Sequence, residues 1–188
     1  MTGFTLHLLR HGATIEPGLM LGRTDGEPGA EGIADCMARA GGLEVERVIA
    51  SDLRRASLAG EAIAARLGLP LAIDPRWREL DFGDWDGLAP AAIEPGAFAR
   101  FHDDPDANPP PGGERWSALV ARVGEGIDAL APVPTLVVTH GGAMRAALHR
   151  LCGFELRQCW AFDLRNGALL SLRVWPDERA AQIFGLST

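Results

Sequence analysis

The stretch "LLRHGAT", residues 8–14, indicates the fold, because an apolar run ends there on a charged pair and the chain then breaks at a glycine. The stretch "LVVTHGGA", residues 136–143, has nearly the same arrangement. The chain has only five histidines, yet His11 and His140 each stand directly after an apolar run and directly before a glycine. Ligands of open α/β sheets bind outside the carboxyl ends of the strands. Both histidines are therefore predicted to lie at a ligand-binding edge of such a sheet.

Apolar β-type runs alternate with helical patterns along most of the chain. The patterns predict strands at 4–9, 47–51, 70–75 and 135–139, and helices at 29–42, 52–68, 113–131 and 143–153. Two last strands, 167–176 and 179–185, are expected to close the sheet as a hairpin. The alternation predicts an α/β fold of three α/β/α layers around a mostly parallel central sheet. The length of 188 residues fits a single domain, 1–188.

Residues 83–113 interrupt this alternation. The segment is rich in Asp, Pro and Gly and ends "HDDPDANPPPGG". Long irregular segments in compact domains are usually functional or disordered. We therefore expect an excursion over one edge of the sheet that acts as a partial lid.

The basic residues restrict the chemistry, because all 18 are arginine and the chain has no lysine. A P-loop lysine, a Schiff-base lysine and a kinase-type lysine are excluded. Any anion site must use arginine, which binds phosphate through two parallel N–H groups. The net charge of −7 argues against non-specific nucleic-acid binding, which depends on neutralising phosphates.

Targeting and cysteine patterns favour a cytoplasmic protein. No apolar stretch reaches the ~18 residues of a membrane helix, and the first residues do not resemble an export signal. The three cysteines, Cys36, Cys152 and Cys159, have no C-x-x-C spacing, which argues against a disulfide framework and a structural zinc site. We expect no membrane partner, and no pattern specifies an oligomeric state.

The two histidine motifs predict a phosphate pocket. "HGGAMRAALHRL" begins a helix, and the free N–H groups of a helix N-terminus favour an anion. The glycines after the histidines would let the backbone turn and approach a ligand closely. Arg10, His11 and His140 would converge there. The alternative for each histidine is that it caps a strand and packs beneath a loop, but the double occurrence favours a shared site.

Two further segments bring charged groups to the same rim. In "ASDLRRAS", Arg54 and Arg55 fall in the first turn of a helix, where the dipole disfavours cations and a bound anion would explain them. The alternative is that these arginines are solvated. The pattern does not show which of Arg54 and Arg55 would bind the anion. In "WRELDFGDWDG", Glu79 lies among aromatic and apolar residues, which suits a carboxyl group for acid catalysis. Its alternative is a salt bridge with Arg76 or Arg78.

Together these segments resemble the histidine phosphatase (phosphoglycerate mutase-like) superfamily over most of the chain. "LRHGAT", "SDLRRA", "RELDFGDWDG" and "THGGAMRA" are similar to four motifs of that family, in the family's order. The resemblance implies that His11 is a nucleophile that becomes phosphohistidine, that Glu79 is the proton donor and that His140 is an electrostatic partner. It selects Arg55 over Arg54, and it implies neither a cofactor nor a metal ion.

The resemblance also implies the phosphate and substrate contacts, which are Arg10, Arg55, Thr14, Gly22, Arg23 and Gly141. Two departures alter the loop on the phosphate side. Ala13 stands where the family often has Glu, and Pro17 stands where it often has Asn.

The implied activity is hydrolysis of a small phosphorylated metabolite. Mutases of the family carry E-R-H-Y-G after the acid, whereas this chain has "ELDFGDWDG" and no tyrosine, which favours a phosphatase. "ELDFGDWDG" and "PGLMLGRTD" are most similar to α-ribazole phosphatases, which makes α-ribazole 5′-phosphate a candidate substrate. Phe82, Trp85 or Trp116 would then stack a base, or belong to the core. The alternatives are a mutase-type phosphotransferase and a non-catalytic module that recognises a phosphorylated partner, although a binder needs no proton donor.

Overall fold

The computed structural model describes residues 3–176 and 180–188. Its strands are β1 Phe4–Arg10, β2 Arg47–Ala50, β3 Leu71–Ile73, β4 Thr135–Thr139, β5 Leu169–Trp175 and β6 Ala180–Ser187. Its helices are α1 Ala30–Ala40, α2 Arg54–Leu67, α3 Pro95–Asp103, α4 Trp116–Asp128, α5 Gly141–Cys152 and α6 Leu156–Cys159. Three short 3₁₀ turns lie between β3 and α3, at Pro75–Trp77, Gly83–Trp85 and Pro90–Ala92.

The six strands form one sheet in the order β3-β2-β4-β1-β5-β6. The first four in this order are parallel, and β5 and β6 are antiparallel to their neighbours. The predicted mostly parallel sheet with a closing hairpin is confirmed, although Arg179, the predicted start of the last strand, lies outside the described residues. In the central pair, Arg10 stands opposite Thr139, so β1 and β4 end at the same edge.

Helices cover both faces of the sheet, as the alternating pattern predicts. All five residues of β4 are buried. Leu136 and Val138 pack with α1 and α2 on one face, whereas Val137 packs with α4 and α5 on the other. Successive strand residues point to opposite faces, so a continuous apolar run is what a strand between two helical layers requires.

Helix α5 begins at Gly141, two residues before the predicted start, and His140 is its N-cap residue. The first-turn N–H groups of α5 therefore lie directly after the end of β4. Among residues 3–176 and 180–188, none of the helices combines the length and apolarity that crossing a bilayer requires.

The segment 83–113 is more ordered than its composition suggests, so the expectation of an irregular excursion is wrong in this respect. It contains α3, whose N-cap Glu94 accepts hydrogen bonds from the N–H groups of Gly96 and Ala97. Trp85 and Phe101 are buried in the core cluster on the α4–α5 side. The N-cap and the burial of Trp85 and Phe101 stabilise α3, although the residues around it are rich in Pro and Gly. Movement of the segment as a lid stays a prediction.

Candidate active site

The two motif histidines lie side by side at the carboxyl ends of β1 and β4. The backbone N–H of His11 donates to the carbonyl oxygen of Thr139 at 2.9 Å, which extends the strand pairing by one residue. The ring centroids of His11 and His140 are 5.1 Å apart, and both side chains are buried. The position of one histidine relative to the other is therefore fixed by the sheet.

The backbone determines the proton position on His11. Its Nδ1 lies 2.8 Å from the carbonyl oxygen of Gly12, which can only accept, so Nδ1 carries the proton. This leaves the Nε2 lone pair for nucleophilic attack. Burial, followed by the charges of Arg10 and Arg55, lowers the pKa of His11 to about 3. The ring is therefore neutral at physiological pH.

The amide of Asn166 supports the same carbonyl group. Its Nδ2 donates to the carbonyl oxygen of Gly12 at 3.0 Å and to that of His11 at 3.3 Å. Asn166 therefore holds the short backbone segment that carries the nucleophile. Sequence reasoning missed this residue, because no local pattern marks it.

His140 is also a neutral, buried ring. Its Nε2 lies 2.9 Å from the hydroxyl oxygen of Ser51, and its Nδ1 has no hydrogen-bond partner in the described part of the chain. Burial, followed by the charge of Arg55, holds the pKa of His140 well below its usual value. If the Ser51 hydroxyl donates, Nδ1 carries the proton and is free to donate to a bound oxyanion.

The structure separates the two arginines that the sequence left open. Arg54 pairs with Glu27 at the surface, at 2.9 Å. Arg55 is buried and donates to three carbonyl oxygens of the loop at 21–24, over 2.7–2.9 Å. It thus fixes that loop and adds positive charge near His11. Arg10 donates through one terminal nitrogen to the carbonyl oxygen of Leu164 at 2.7 Å.

Glu79 is held by backbone donors. Its Oε1 accepts from the N–H of Leu80 at 2.8 Å, and its Oε2 accepts from the N–H of Gly142 in the first turn of α5 at 3.1 Å. Arg76 pairs with Asp74 and Arg78 pairs with Asp52, so the alternative of a salt bridge with Glu79 is wrong.

Gly142 makes this approach of Glu79 possible. A Cβ atom on Gly142 would lie 2.1 Å from Glu79 Oε1, so a side chain there would displace the carboxyl group. The glycine that directly follows the first histidine has another role. A Cβ atom on Gly12 would lie 2.0 Å from the carbonyl oxygen of Gly32 in α1, so Gly12 serves helix–strand packing. That Gly12 also permits close ligand approach stays a prediction.

Arg122 on α4 fixes the segment that carries Glu79. It donates to the carbonyl oxygens of Arg76 at 2.9 Å, Arg78 at 2.8 Å and Glu79 at 3.0 Å. It also pairs with Glu114 at 2.7 Å, with both side chains largely buried. Sequence reasoning missed Arg122, since helical periodicity shows only that it lies off the apolar stripe.

The four remaining predicted contacts differ in position. Thr14 lines the cleft beside His11, with its hydroxyl donating to the carbonyl oxygen of Glu16, and Gly141 opens α5 beside Arg10. The N–H of Gly22 instead donates to Asp86 at 3.1 Å, and Arg23 pairs with Asp81 at 3.3 Å. The structure places neither Gly22 nor Arg23 on the cleft wall. Both belong to the loop at 21–24, whose carbonyl oxygens accept hydrogen bonds from Arg55.

Two cavities meet at Glu79. A cleft of about 400 Å³ is lined by His11, Asn166 and the loop at 13–21. A second cavity of about 270 Å³, named here the aromatic chamber, extends between the segment 80–105 and the helices α4, α5 and α6. Four residues line both cavities, namely Arg10, Met20, Glu79 and Phe82. Phe82 and Trp116 thus face the aromatic chamber, whereas Trp85 packs in the core.

The arrangement places a neutral nucleophile, fixed positive charge and an acid–base group around one cleft. Arg10 and Arg55 supply positive charge near His11, where an oxyanion would develop charge. Within the residues that the structure describes, no three His, Cys, Asp or Glu side chains are grouped in a way that could hold a metal ion. The geometry suits transfer of a phosphoryl group to His11.

Comparison with known proteins agrees with this geometry. The curated relatives include a glucosyl-3-phosphoglycerate phosphatase from Mycolicibacterium vanbaalenii, 31% identical over 169 residues, which cover 80% of this chain and 75% of the relative. A probable phosphoglycerate mutase from Erwinia tasmaniensis is 29% identical over 175 residues, which cover 86% of this chain and 80% of the relative. For three other mycobacterial relatives, 30% identical over 182 residues, the chain spans about half their length, 47%.

The fold also matches a solved structure, the α-ribazole phosphatase from Shigella flexneri, with a TM-score of 0.85 and 24% identity over 98% of this chain and 96% of that one. At this identity the match shows the fold alone. The sequence profile described as Histidine phosphatase superfamily (branch 1) matches residues 6–186. The chain therefore belongs to the histidine phosphatase superfamily and is a phosphatase-type enzyme of that family.

Proposed function

We propose that this enzyme hydrolyses small phosphomonoesters through a phosphohistidine formed on His11, without a metal ion. The observation that carries the proposal is the hydrogen bond from His11 Nδ1 to the carbonyl oxygen of Gly12, in a ring whose pKa is lowered to about 3. This bond orients a neutral imidazole with its Nε2 lone pair unused, at the wall of the cleft.

The reaction proceeds in two steps, transfer of the phosphoryl group to His11 and hydrolysis of the phosphohistidine. In the first, Nε2 of His11 attacks phosphorus, the bond between phosphorus and the ester oxygen breaks, and Glu79 in its acid form gives a proton to the leaving oxygen. In the second, Glu79 takes a proton from water as the water oxygen attacks phosphorus. The phosphorus–nitrogen bond breaks, and inorganic phosphate and free His11 result.

Positive charge for both steps comes from the protein. Arg10 and the first turn of α5 would flank the phosphoryl oxygens, and the buried Arg55 adds further positive charge nearby. His140 contributes an N–H donor in its neutral form. Thr14 and Gly141 complete the phosphate surroundings, whereas Gly22 and Arg23 act through the loop.

The substrate is a small phosphorylated metabolite whose leaving group enters the aromatic chamber. Two candidates have separate support. The motifs "ELDFGDWDG" and "PGLMLGRTD" favour α-ribazole 5′-phosphate, and its base would meet Phe82 and Trp116. The relative from Mycolicibacterium vanbaalenii favours a phosphoglycerate derivative.

Phosphate release in the presence of EDTA tests the proposal. The substrates would be α-ribazole 5′-phosphate, glucosyl-3-phosphoglycerate, nucleotides and 3-phosphoglycerate. We expect turnover that is insensitive to EDTA and absent in His11→Ala. Phosphate-labelled substrate, with quenching in alkali, should label the wild-type protein and leave His11→Ala unlabelled.

Other results would identify the alternatives. Isomerisation of 3-phosphoglycerate without phosphate release would show a mutase. Binding without turnover, unchanged in Glu79→Gln, would show a phosphate-recognising module. Turnover that persists in His11→Ala would overturn the mechanism. The variant His149→Gln, in the last turn of α5 and not among the residues that line the cleft, is the control for a histidine change away from the cleft.

A further inference from the structure

We infer that Arg145 binds an acidic group on the leaving-group portion of the substrate, so that the preferred substrates are phosphomonoesters with a second anionic group close to the ester oxygen. The inference rests on the proposed function and adds a substrate class to it. It follows from the position of Arg145, from the partners of its guanidinium group and from the shape of the aromatic chamber.

We place the leaving group in the aromatic chamber. His11 lines the cleft but not the chamber, whereas Glu79 lines both. A phosphoryl group within reach of His11 therefore directs its ester oxygen towards Glu79, which has to protonate that oxygen. Beyond Glu79 the chamber offers about 270 Å³, enough for a compact leaving group.

The chamber wall is largely aromatic, and it carries two cations, Arg10 and Arg145. Phe82, Phe98, Trp116 and Trp160 contribute rings, and His102 lies 5.5 Å from Trp160 between ring centroids. Arg145 lines the chamber but not the cleft. Its charge therefore faces the leaving group, and Arg10 faces both cavities.

The guanidinium group of Arg145 is held by stacking and by a backbone hydrogen bond, and the charges of Glu79 and Asp163 act on it from beyond salt-bridge distance. It lies 4.0 Å above the ring of Trp160, and one terminal nitrogen donates to the carbonyl oxygen of Gly141 at 3.2 Å. In the described residues it takes part in none of the salt bridges, and its Nε is buried without a hydrogen-bond partner. Arg10 and Arg55 share this last property, and both belong to the phosphate site.

A partly buried cation without a direct salt-bridge partner is costly, and a bound acidic group lowers that cost. Arg122, by contrast, meets Glu114 and three carbonyl oxygens, as expected of an arginine with a structural role. The stacking on Trp160 leaves the edge of the Arg145 guanidinium for an oxyacid, which it can bind through two N–H groups.

The surroundings of Gly141 indicate that the phosphoryl group and the second acidic group of the substrate would lie close together. A Cβ atom on Gly141 would lie 3.2 Å from a terminal nitrogen of Arg145 and 3.4 Å from Cζ of Arg10. The two guanidinium groups thus flank the same backbone position. A carboxylate a few bonds from the ester oxygen would reach Arg145 while the phosphoryl group stays with Arg10.

Two esters of matched size test the inference, 3-carboxyphenyl phosphate and 3-carbamoylphenyl phosphate. They differ by one charge, and their rings suit the aromatic chamber. We expect the wild-type enzyme to favour the carboxylate in kcat/KM by roughly 10- to 100-fold, mainly through KM, as for a hydrogen-bonded charged group. Arg145→Met should bring the ratio close to one, because it should lower kcat/KM for the carboxylate ester far more than for the amide. Arg145→Lys should restore part of the preference.

Arg150→Met is the control, since Arg150 lies on the same helix but pairs with Asp128 away from the chamber. It should keep the wild-type ratio. A wild-type ratio near one overturns the inference even if Arg145→Met fails to fold, because that measurement needs no variant. A ratio that Arg145→Met leaves intact also overturns it. If neither ester releases phosphate, the proposed function fails as well, which distinguishes the two failures.

Discussion

The imidazole of His11 donates from Nδ1 to the carbonyl oxygen of Gly12 at 2.8 Å, a bond between adjacent residues. This contact requires the backbone after β1 to turn, so that the carbonyl group of Gly12 faces the imidazole ring of His11. Asn166 and the packing of Gly12 on Gly32 hold that turn. The protonation pattern of the nucleophile is therefore set by local backbone geometry.

The first prediction concerns Asn166. Asn166→Ala removes the donor to the carbonyl oxygens of His11 and Gly12 and lets the imidazole rotate, so we expect kcat to fall roughly 10- to 100-fold with little change in KM. Steady-state kinetics on a phosphomonoester would measure the effect. Asn108→Ala, whose amide donates only to the carbonyl oxygen of Asp104, is the matched control. Equal rates in both variants would contradict a positioning role.

The second prediction concerns the stability of the fold in acid. The unfolded chain protonates His11 below about pH 6.5, whereas the folded chain keeps it neutral down to a pKa of about 3. The unfolded state thus binds more protons between these values, and the free energy of unfolding falls as the pH is lowered through this window. For His11 alone, we expect a loss of about 2 kcal/mol from pH 7 to pH 5. The lowered pKa of His140 acts in the same direction.

Urea unfolding at pH 7 and pH 5 would measure this loss, with His11→Asn as the comparison. The variant should lose less stability than the wild type on acidification, because it lacks the titrating group. An equal loss in the two proteins would show that His11 does not control acid stability.

The third prediction separates the acid role of Glu79 from any structural role. Glu79→Gln cannot protonate the leaving oxygen, so kcat/KM for an alkyl ester such as glycerol phosphate should fall about 10²- to 10⁴-fold. The loss for 4-nitrophenyl phosphate should be much smaller, since nitrophenolate leaves without a proton. The two esters serve as controls for each other in one protein. Equal losses would argue that the substitution disturbs the site as a whole.

The fourth prediction concerns Gly142. Gly142→Ala places a methyl group against Glu79 Oε1 and should displace the carboxyl group, lowering kcat/KM for an alkyl ester by roughly 100-fold. The higher helix propensity of alanine, about 1 kcal/mol over glycine, should offset part of the cost of moving Glu79, so the protein should stay folded. Kinetics and thermal unfolding would be measured together. In Gly124→Ala, the three nearest atoms to the added methyl group all belong to the flexible side chain of Arg150, so activity should be retained.

The sequence predicts most of the fold, because hydrophobic periodicity is strong in β1, β4, α2 and α5. It does not reveal α3, since the Asp, Pro and Gly residues around "GAFARFH" suggest a loop until tertiary contacts bury Phe101. The four-residue helix α6 is too short for a periodic signal.

Within the site, the sequence identifies residues that stand in local motifs, including His11, Glu79 and His140. It misses Asn166, which lies 155 positions from His11 and is brought beside it only by the pairing of β1 with β5. It equally misses Arg122, whose role depends on the close approach of α4 to the segment that carries Glu79. Such residues act through carbonyl groups, and any residue type supplies a carbonyl group, so no recurring spacing marks them.

The two adjoining cavities are built from different parts of the chain. Strand ends hold His11 and His140, whereas half of the residues that line the aromatic chamber come from the segment 80–105, α6 and Trp160. Substitutions in the wall of the aromatic chamber can therefore change which substrate fits, while the strand ends that hold the two histidines stay unchanged. A library of variants at Phe98, His102, Trp116 and Trp160 is therefore a good starting point for changing the substrate selectivity while the catalytic residues are kept.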